Sequence, residues 1–256
     1  MFNTTKALVL REVRYKEADR ILTLFTASDG KLTAKARGAL RKSSRSAAAT
    51  QQLTWSELTL FGNRGKWTVN EGTVLEPFAG LRADFEKLAL GSYFAECREA
   101  FSVEEQPDPA LLQLGLNALY GLSSGKYEPL LVKAVFELRL MSLAGFQPGA
   151  NACPVCGRAE PEAPYLQLEE GSVVCRACRK ASFGGSAELC PDSLAALRYV
   201  IAAPAKQIFS FRLGGAALDR FSQAAERYLQ AHAERRFPTL DYWKNVRKPI
   251  ETIHTE

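Results

Sequence analysis

Four cysteines carry the most specific chemistry in the chain. Cys153-Pro154-Val155-Cys156 is followed, after eighteen intervening residues, by Cys175-Arg176-Ala177-Cys178. Each Cys-x-x-Cys turn aims two sulfurs at one ion, and the segment between them returns the second pair to the first, the spacing read as tetrahedral zinc. Gly157 fits because a residue without Cβ lets the backbone turn back under the metal. His232 and His254 are the only histidines and lie far along the chain, so the ligands are the cysteines. Four thiolates close a coordination sphere that a catalytic zinc would keep open, which makes the metal structural. Spacing alone leaves an iron–sulfur cluster open. A redox role for either pair would need a thioredoxin-like βαβ setting, and no such pattern is present. Cys97 falls in a helical pattern as a small core residue, and Cys190 is the alternative ligand. Glycine-rich phosphate loops, Ser-His-Asp arrangements and His-Glu-x-x-His motifs are missing from the sequence. The Gly184-Gly185 and Gly214-Gly215 pairs are turn signals.

The second chemical signal is charge. The chain has 256 residues and a formal charge of +5. Residues 1 to 50 hold eleven Lys and Arg against four Asp and Glu, a local +7 that leaves −2 for the remainder. Between Lys31 and Arg45 stand six bases, Lys31, Lys35, Arg37, Arg41, Lys42 and Arg45, and no acid. Ordinary surfaces mix signs, so this block is the electrostatic footprint expected for a polyanion. Such bases contact phosphates with little sequence preference and steep salt dependence. Trp55, Trp67, Tyr15 and Phe25 are aromatics available for base stacking, although a small barrel needs most of its rings for its core.

The elements that must position these groups follow from periodicity. Residues 6 to 14 and 20 to 26 are short, branched and aromatic, as strands are. Ser28-Asp29-Gly30 is a hairpin signal, so 31 to 37 returns as the next strand. Gly38 to Ala49 is a basic, serine-rich loop. Strand patterning resumes at 52 to 61, turns at Gly62-Asn63-Arg64-Gly65 and continues from 66 to 75. Five short strands with one long basic loop predict a five-stranded antiparallel barrel of OB type, for which an SH3-like barrel is the alternative. After Pro77 the period becomes helical: 84 to 101, with Phe85, Leu88, Ala89, Ser92 and Ala95 or Cys97 on one side, then 109 to 122 and 128 to 144, capped by Gly145. Tyr165 to Leu168 and Ser172 to Val174 form a hairpin between the knuckles. Helices resume at 191 to 203, with Pro191 in the first turn, and at 216 to 233, whose apolar face is Leu218, Phe221, Ala225, Tyr228 and Leu229. A basic segment holds Arg235, Arg236, Lys244, Arg247 and Lys248.

The fold class is therefore α+β: an OB-type barrel over 1–80, a helical domain over 81–248 with a zinc-binding insertion at 150–182, and a frayed tail at 249–256. Apolar and charged fractions of 46% and 24% are those of a soluble globular protein. No signal sequence or membrane span is visible, so a cytoplasmic setting with reduced thiols is expected.

The N-terminal part holds Tyr15-x-Glu17-x-Asp19, Leu24-Phe25-Thr26, Gly30-Lys31-Leu32 and Lys35-x-x-Gly38-Ala39. The centre holds Phe136-Glu137-Leu138-Arg139-Leu140-Met141, Gly145-Phe146-x-Pro148 and Cys153-x-x-Cys156-Gly157. Taken together, these motifs resemble the bacterial recombination mediator family RecO. The resemblance spans roughly residues 5 to 245 and implies a non-enzymatic DNA-repair protein. Such a protein binds single- and double-stranded DNA, anneals complementary strands, partners with RecR, and helps load RecA onto strands coated by single-stranded-DNA-binding protein. It acts at the nucleoid. The family's basic surface falls on Lys35, Arg37, Arg41 and Lys42, with one departure: Leu40 separates the Gly-Ala pair from Arg41 and Lys42. Two other classes compete: a zinc-containing interaction scaffold whose DNA contact is incidental, and a zinc hydrolase or oxidoreductase, which would need three cysteine ligands and a water.

Overall fold

The computed structural model describes residues 1–179 and 185–247. Lys248, the tail over 249–256, Gly184 and positions 180–182 of the expected insertion lie outside the described residues.

Five strands close the N-terminal barrel: β1 (Phe2–Tyr15), β2 (Asp19–Thr26), β3 (Gly30–Ala36), β4 (Trp55–Asn63) and β5 (Lys66–Glu76). Their order around the barrel is β1-β2-β3-β5-β4, with β4 returning to β1 and β3 pairing β5 in parallel. This is the OB arrangement, and the parallel pair sets it apart from a plain meander. Alternation decides the faces: Leu32, Ala34 and Ala36 of β3 enter the core with Val9, Leu22, Leu24, Leu58 and Leu60, while Thr33 and Lys35 face out. The Asp29-Gly30 turn forms as expected, with Gly30 at φ +67, where a Cβ would collide with the backbone of Gln106.

β1 begins four residues before its apolar pattern. Phe2 to Thr5 pair with β4, and the Thr4 and Thr59 hydroxyls lie 3.1 Å apart, a polar edge that apolar periodicity does not register. A bulge between Val9 and Arg11 bends β1 so that it can serve two neighbours. β4 starts three residues later than expected, because the chain still turns at Leu53, which has φ +61.

Two helices follow, α1 (Ala79–Arg82) and α2 (Phe85–Ala100). Asp84 caps α2 by accepting the N–H groups of Glu86 and Lys87. The expected apolar face is corrected here. Ala89, Ala95 and Cys97 are buried as expected, but Phe85 is 79% exposed, Leu88 and Ser92 are only half-buried, and the larger buried apolar side chains are Leu90, Tyr93 and Phe94. Phe85 follows the cap directly and points away from the stripe that packs on β1. The segment read only as basic contains a further helix, α7 (Pro238–Arg247), which packs on α2. Leu240 and Trp243 are buried, Tyr93 meets Phe237 edge-on at 5.8 Å, and Glu96 accepts from Thr239.

Residues 1–109 together with the segment from 237 form one compact unit, and 110–236 form a second. In the second unit are α3 (Pro109–Ser123), α4 (Pro129–Leu143), α5 (Pro191–Ala202) and α6 (Gly215–His232), with a small sheet of β6 (Pro164–Gln167), β7 (Ser172–Cys175) and β8 (Ser186–Glu188) in the order β7-β6-β8. α4 is the central helix, buried without interruption from Leu130 to Leu138, and it packs on α5 and α6. α6 buries the face expected of it, Leu218, Phe221, Ala225, Tyr228 and Leu229. Gly145 ends α4 at φ +92, and the Phe146 N–H reaches back to the Met141 carbonyl, a helix-terminating turn that favours glycine.

The family-like run in α4 has physical content. Lys133 and Glu137 are fully buried one turn apart, and the Lys133 ammonium lies 2.8 Å from a carboxylate oxygen of each of Glu137 and Glu226. Burial works to lower the lysine's pKa, but the two carboxylates prevail and hold it above its usual value. Arg139 donates to the carbonyls of Val200 and Ile201 at the end of α5, at 3.1 and 2.7 Å. Among the described residues no helix is long and apolar enough to cross a membrane.

Candidate metal centre and nucleic-acid interface

The sulfurs of Cys153, Cys156, Cys175 and Cys178 all lie within 4.8 Å of one another. Cys156 and Cys175 are 3.7 Å apart, and Cys175 and Cys153 are 3.9 Å apart. A tetrahedron with metal–sulfur bonds of about 2.3 Å has edges of about 3.8 Å, so the cluster is already sized for such an ion. Gly157 sits at φ +73 with its N–H on the Cys153 carbonyl at 2.9 Å, and the Cys153 N–H goes to Arg158. Open space surrounds the position a Cβ would take, so conformation rather than crowding requires this glycine. The hairpin of β6 and β7 carries Cys175 back to the first knuckle, and a single 3₁₀ turn, Arg176–Cys178, supplies the last sulfur.

The protonation states point the same way. Burial works to raise the Cys153 thiol, yet the N–H groups of Cys175, Cys156 and Val155 bring it down to about 6. Contact with the Cys175 sulfur, followed by burial and the other two sulfurs, pushes Cys178 up to about 12. Four crowded sulfurs cannot all be thiolates without a cation, and a divalent ion resolves that conflict. Cys190 is not part of the group: it is the N-terminal cap of α5, where its sulfur meets the Ser193 hydroxyl at 3.4 Å. Cys97 is wholly buried in α2.

Arg198 of α5 is a residue that spacing could not reveal. Its guanidinium donates to the carbonyls of Ala150, Asn151 and Ala159 and to Glu160, on both sides of the first knuckle. A lone arginine in a helix carries no local signal that its partners lie about forty residues upstream.

The six bases of the N-terminal block divide into two groups. Lys31 donates to the Glu99 carbonyl at 3.1 Å and pairs with Glu104, with only 14% of its side chain exposed. Lys35 pairs with Asp19 at 2.9 Å and lies 4.8 Å over the Tyr15 ring. Asp19 also accepts the Gly38 N–H at 2.8 Å. That bond, followed by the Lys35 contact, holds its carboxyl below the usual range. The resembling motif positions Tyr15, Asp19, Lys35 and Gly38 thus converge on one anchor at the root of the loop.

Arg37, Arg41, Lys42 and Arg45 behave differently. All four are exposed, and among the described residues their side chains make no hydrogen bond or ion pair. Arg37, Arg41 and Arg45 line one hollow of about 620 Å³ with Ser43, Ser44, Ser46 and Asn70, and Glu71 is the acid beside them. Lys42 does not line it. The far limb of the loop is held by Arg20, which donates to Ala47 and Thr50 at 2.9 and 3.0 Å. Leu40, the departure from the resembling pattern, is tied by its N–H to the Ala18 carbonyl. A second groove of about 680 Å³ joins Lys35 and Arg37 to Phe2, Phe61, Asn63, Lys66, Trp67, Thr68 and Asn70. Lys66 was missed because it follows the Gly62–Gly65 turn with only Arg64 nearby, outside the basic block.

The aromatic candidates are also sorted. Phe25 is fully buried beneath the Arg98 guanidinium, 4.3 Å from its ring, and cannot reach a base. Arg98 is itself buried, which lowers its pKa to about 9 against the opposing pull of Asp108. Trp67 packs on the barrel core and fills the space a Cβ at Gly62 would take. Trp55 is half-buried, and Tyr15 is exposed beside Lys35.

Comparison with known proteins adds to this geometry. The family model described as "Recombination protein O N terminal" matches residues 1–78, and the one described as "Recombination protein O C terminal" matches residues 82–241. A protein of Acetivibrio thermocellus named "DNA repair protein RecO" is 34% identical over 242 residues, covering 94% of this chain and 96% of that protein. Proteins of the same name in Alkaliphilus metalliredigens and Listeria monocytogenes are 28% identical over 248 residues and 31% identical over 173 residues. These cover 96% and 68% of this chain, and 100% and 67% of the relatives.

Proposed function

The chain belongs to the recombination protein O family of DNA repair proteins, and from that premise we propose that it is a DNA-binding recombination mediator. In this reading it binds single- and double-stranded DNA through the barrel and anneals complementary strands. With RecR it promotes loading of RecA on strands coated by single-stranded-DNA-binding protein. The single observation that carries the DNA contact is the set Arg37, Arg41, Lys42 and Arg45, four exposed cations without a partner of their own among the described residues. Lys31 and Lys35, though basic, act first as anchors that fix the loop's root, and Lys35 contributes at the edge of the groove.

The metal is zinc, one ion, held by Cys153, Cys156, Cys175 and Cys178. Four sulfurs leave no place for water or substrate, so the ion shapes the loop-rich excursion and the protein is not an enzyme. The division of labour is DNA binding on the barrel over 1–80 and metal binding in the insertion at 150–182 of the helical region over 81–248, whose first and last helices belong to the barrel's compact unit. The protein works in the cytoplasm, at the nucleoid.

Affinity for a single strand as a function of salt tests the reading. Four phosphate contacts give a log–log slope of about −3. Reversing Arg41 and Lys42 to Glu should flatten the slope and depress annealing, measured with and without RecR and the strand-coating protein. A flat slope in the unmodified protein would overturn the reading. Charge reversals that leave repair intact would favour the interaction scaffold instead.

A further inference from the structure

On the outer face of the barrel two rings are out of pattern. Where β1 pairs with β4, the neighbouring outward positions Thr4, Lys6, Glu57 and Thr59 are polar, yet Phe2 is 62% exposed and Phe61 is 38% exposed; the other exposed apolar side chains of β1, Val13 and Tyr15, lie at its far end. The two stand directly opposite each other in the β1–β4 register, with ring centroids 5.1 Å apart and planes tilted by 50°. Leaving two phenyl rings in water forgoes burial that a core position would have used.

The register extends this pair into a row. Phe61 pairs with Thr68 of β5, and Thr68 pairs with Lys35 of β3. Phe2, Phe61, Thr68 and Lys35 therefore cross four adjacent strands on one outer face, a span of about 14 Å at the usual strand spacing. Thr68, the small residue in the middle, lines the groove together with Lys66, Asn63, Asn70 and Arg37. One end of the row is aromatic and the other cationic. A duplex keeps its bases stacked inside and offers phosphates only, whereas a single strand offers both a polyanion and free base faces.

We propose that Phe2 and Phe61 form a stacking platform for unpaired bases, with the same strand's phosphates on Arg37 and Lys66, so that this face selects single strands over duplex. The proposal rests on the DNA-binding reading above and adds the element that distinguishes strand types. Its occupant is single-stranded DNA, because cations line the groove beside the rings and an acidic backbone complements them. The Tyr15 ring lies 4.8 Å from the Lys35 ammonium, beside the cationic end of the row.

The test uses the full chain and three fluorescent probes of equal length: an oligothymidylate, an abasic strand with the same backbone, and a duplex. The unmodified protein should bind the thymidylate about tenfold more tightly than the abasic strand, from one stacked base. Phe2→Ala with Phe61→Ala should lose that tenfold on the thymidylate and stay within twofold on the abasic strand and the duplex, with an unchanged salt slope. Phe61→Trp should retain thymidylate binding, which separates stacking from a folding defect. Equal affinity of the unmodified protein for thymidylate and abasic strands, with a normal salt slope, overturns the platform and leaves the DNA-binding reading standing. Failure to bind any of the three probes overturns both. A double variant that loses RecR binding while keeping thymidylate affinity overturns the platform in favour of a protein partner.

Discussion

Replacing Asp19 by asparagine should tighten DNA binding, although it breaks an ion pair. One carboxylate oxygen of Asp19 accepts the Gly38 N–H at 2.8 Å, and the other holds the Lys35 ammonium at 2.9 Å. Asparagine keeps an oxygen for Gly38 and presents an amide to Lys35, so the loop stays rooted while the lysine is released towards the groove. One additional phosphate contact steepens the log–log salt slope for a single strand by about 0.7. Referred to 1 M salt, where the extra contact adds nothing, it is worth about fourfold in affinity at 0.15 M and about eightfold at 0.05 M. Anisotropy titrations of a labelled single strand at four or five salt concentrations measure both quantities. Asp19→Asn on a Lys35→Gln background separates release of the lysine from a general gain of positive field. The steepening should vanish there, because no lysine remains to be freed. An unchanged slope in Asp19→Asn alone, or a gain that survives in the double variant, would refute the reasoning. The carboxyl's lowered pKa sets the acid limit. The stabilising contribution of the Asp19 anchor is complete above the ordinary value of 3.8 and is lost only as pH falls through the lower value in the fold.

Three further outcomes are expected. Chelation, or Cys153→Ser with Cys175→Ser, should speed amide exchange from Cys153 to Arg179 and leave β1 to β5 protected; equal loosening of the barrel would contradict the assignment of metal and barrel to separate units. Arg198→Met should lower metal affinity about 10- to 100-fold by freeing the carbonyls around the first knuckle, measured by competition with a chromophoric chelator; unchanged affinity would show that the sulfurs alone fix the loop. Lys133→Met should destabilise the helical unit by about 3–5 kcal/mol in urea titrations by leaving the carboxylates of Glu137 and Glu226 without their cation, and Glu137→Leu added to it should restore part of that. Since the Lys133 pKa is raised, this stabilisation is present below 10.5 and is lost as pH rises through the higher value in the fold.

Local signals that recur at short range were legible in the chain. The two knuckles, the Asp29-Gly30 turn, the Gly145 stop and the α6 stripe each announce themselves within a few residues, and each forms where the pattern puts it. Partnership across long separations was not legible. Nothing near Lys31 foretells that Glu99 and Glu104 will take it, and nothing near Arg198 points to Ala150. Phe85 misled because a ring beside a helix cap satisfies apolar periodicity while the backbone turns it outward. α7 was hidden because its bases mask the two buried positions, Leu240 and Trp243, that hold it down. The sequence shows the basic block only as a run of six bases, and only the fold separates the two that anchor, Lys31 and Lys35, from the four that reach out.

The placement of α7 bears on the order in which the protein is made. The barrel's strands are all synthesised in the first third of the chain, but the face of α2 that carries Tyr93 receives Phe237 and Trp243 only after a further 110–236 segment has been translated. Until then a nascent chain shows an apolar helix face beside a finished barrel. A product that stops short of 237 keeps its loop of bases and lacks the helix that seals α2. Messages cut short should therefore yield an aggregation-prone fragment in place of a smaller working domain, and expression trials of the barrel need the last helix supplied, in line or as a second chain.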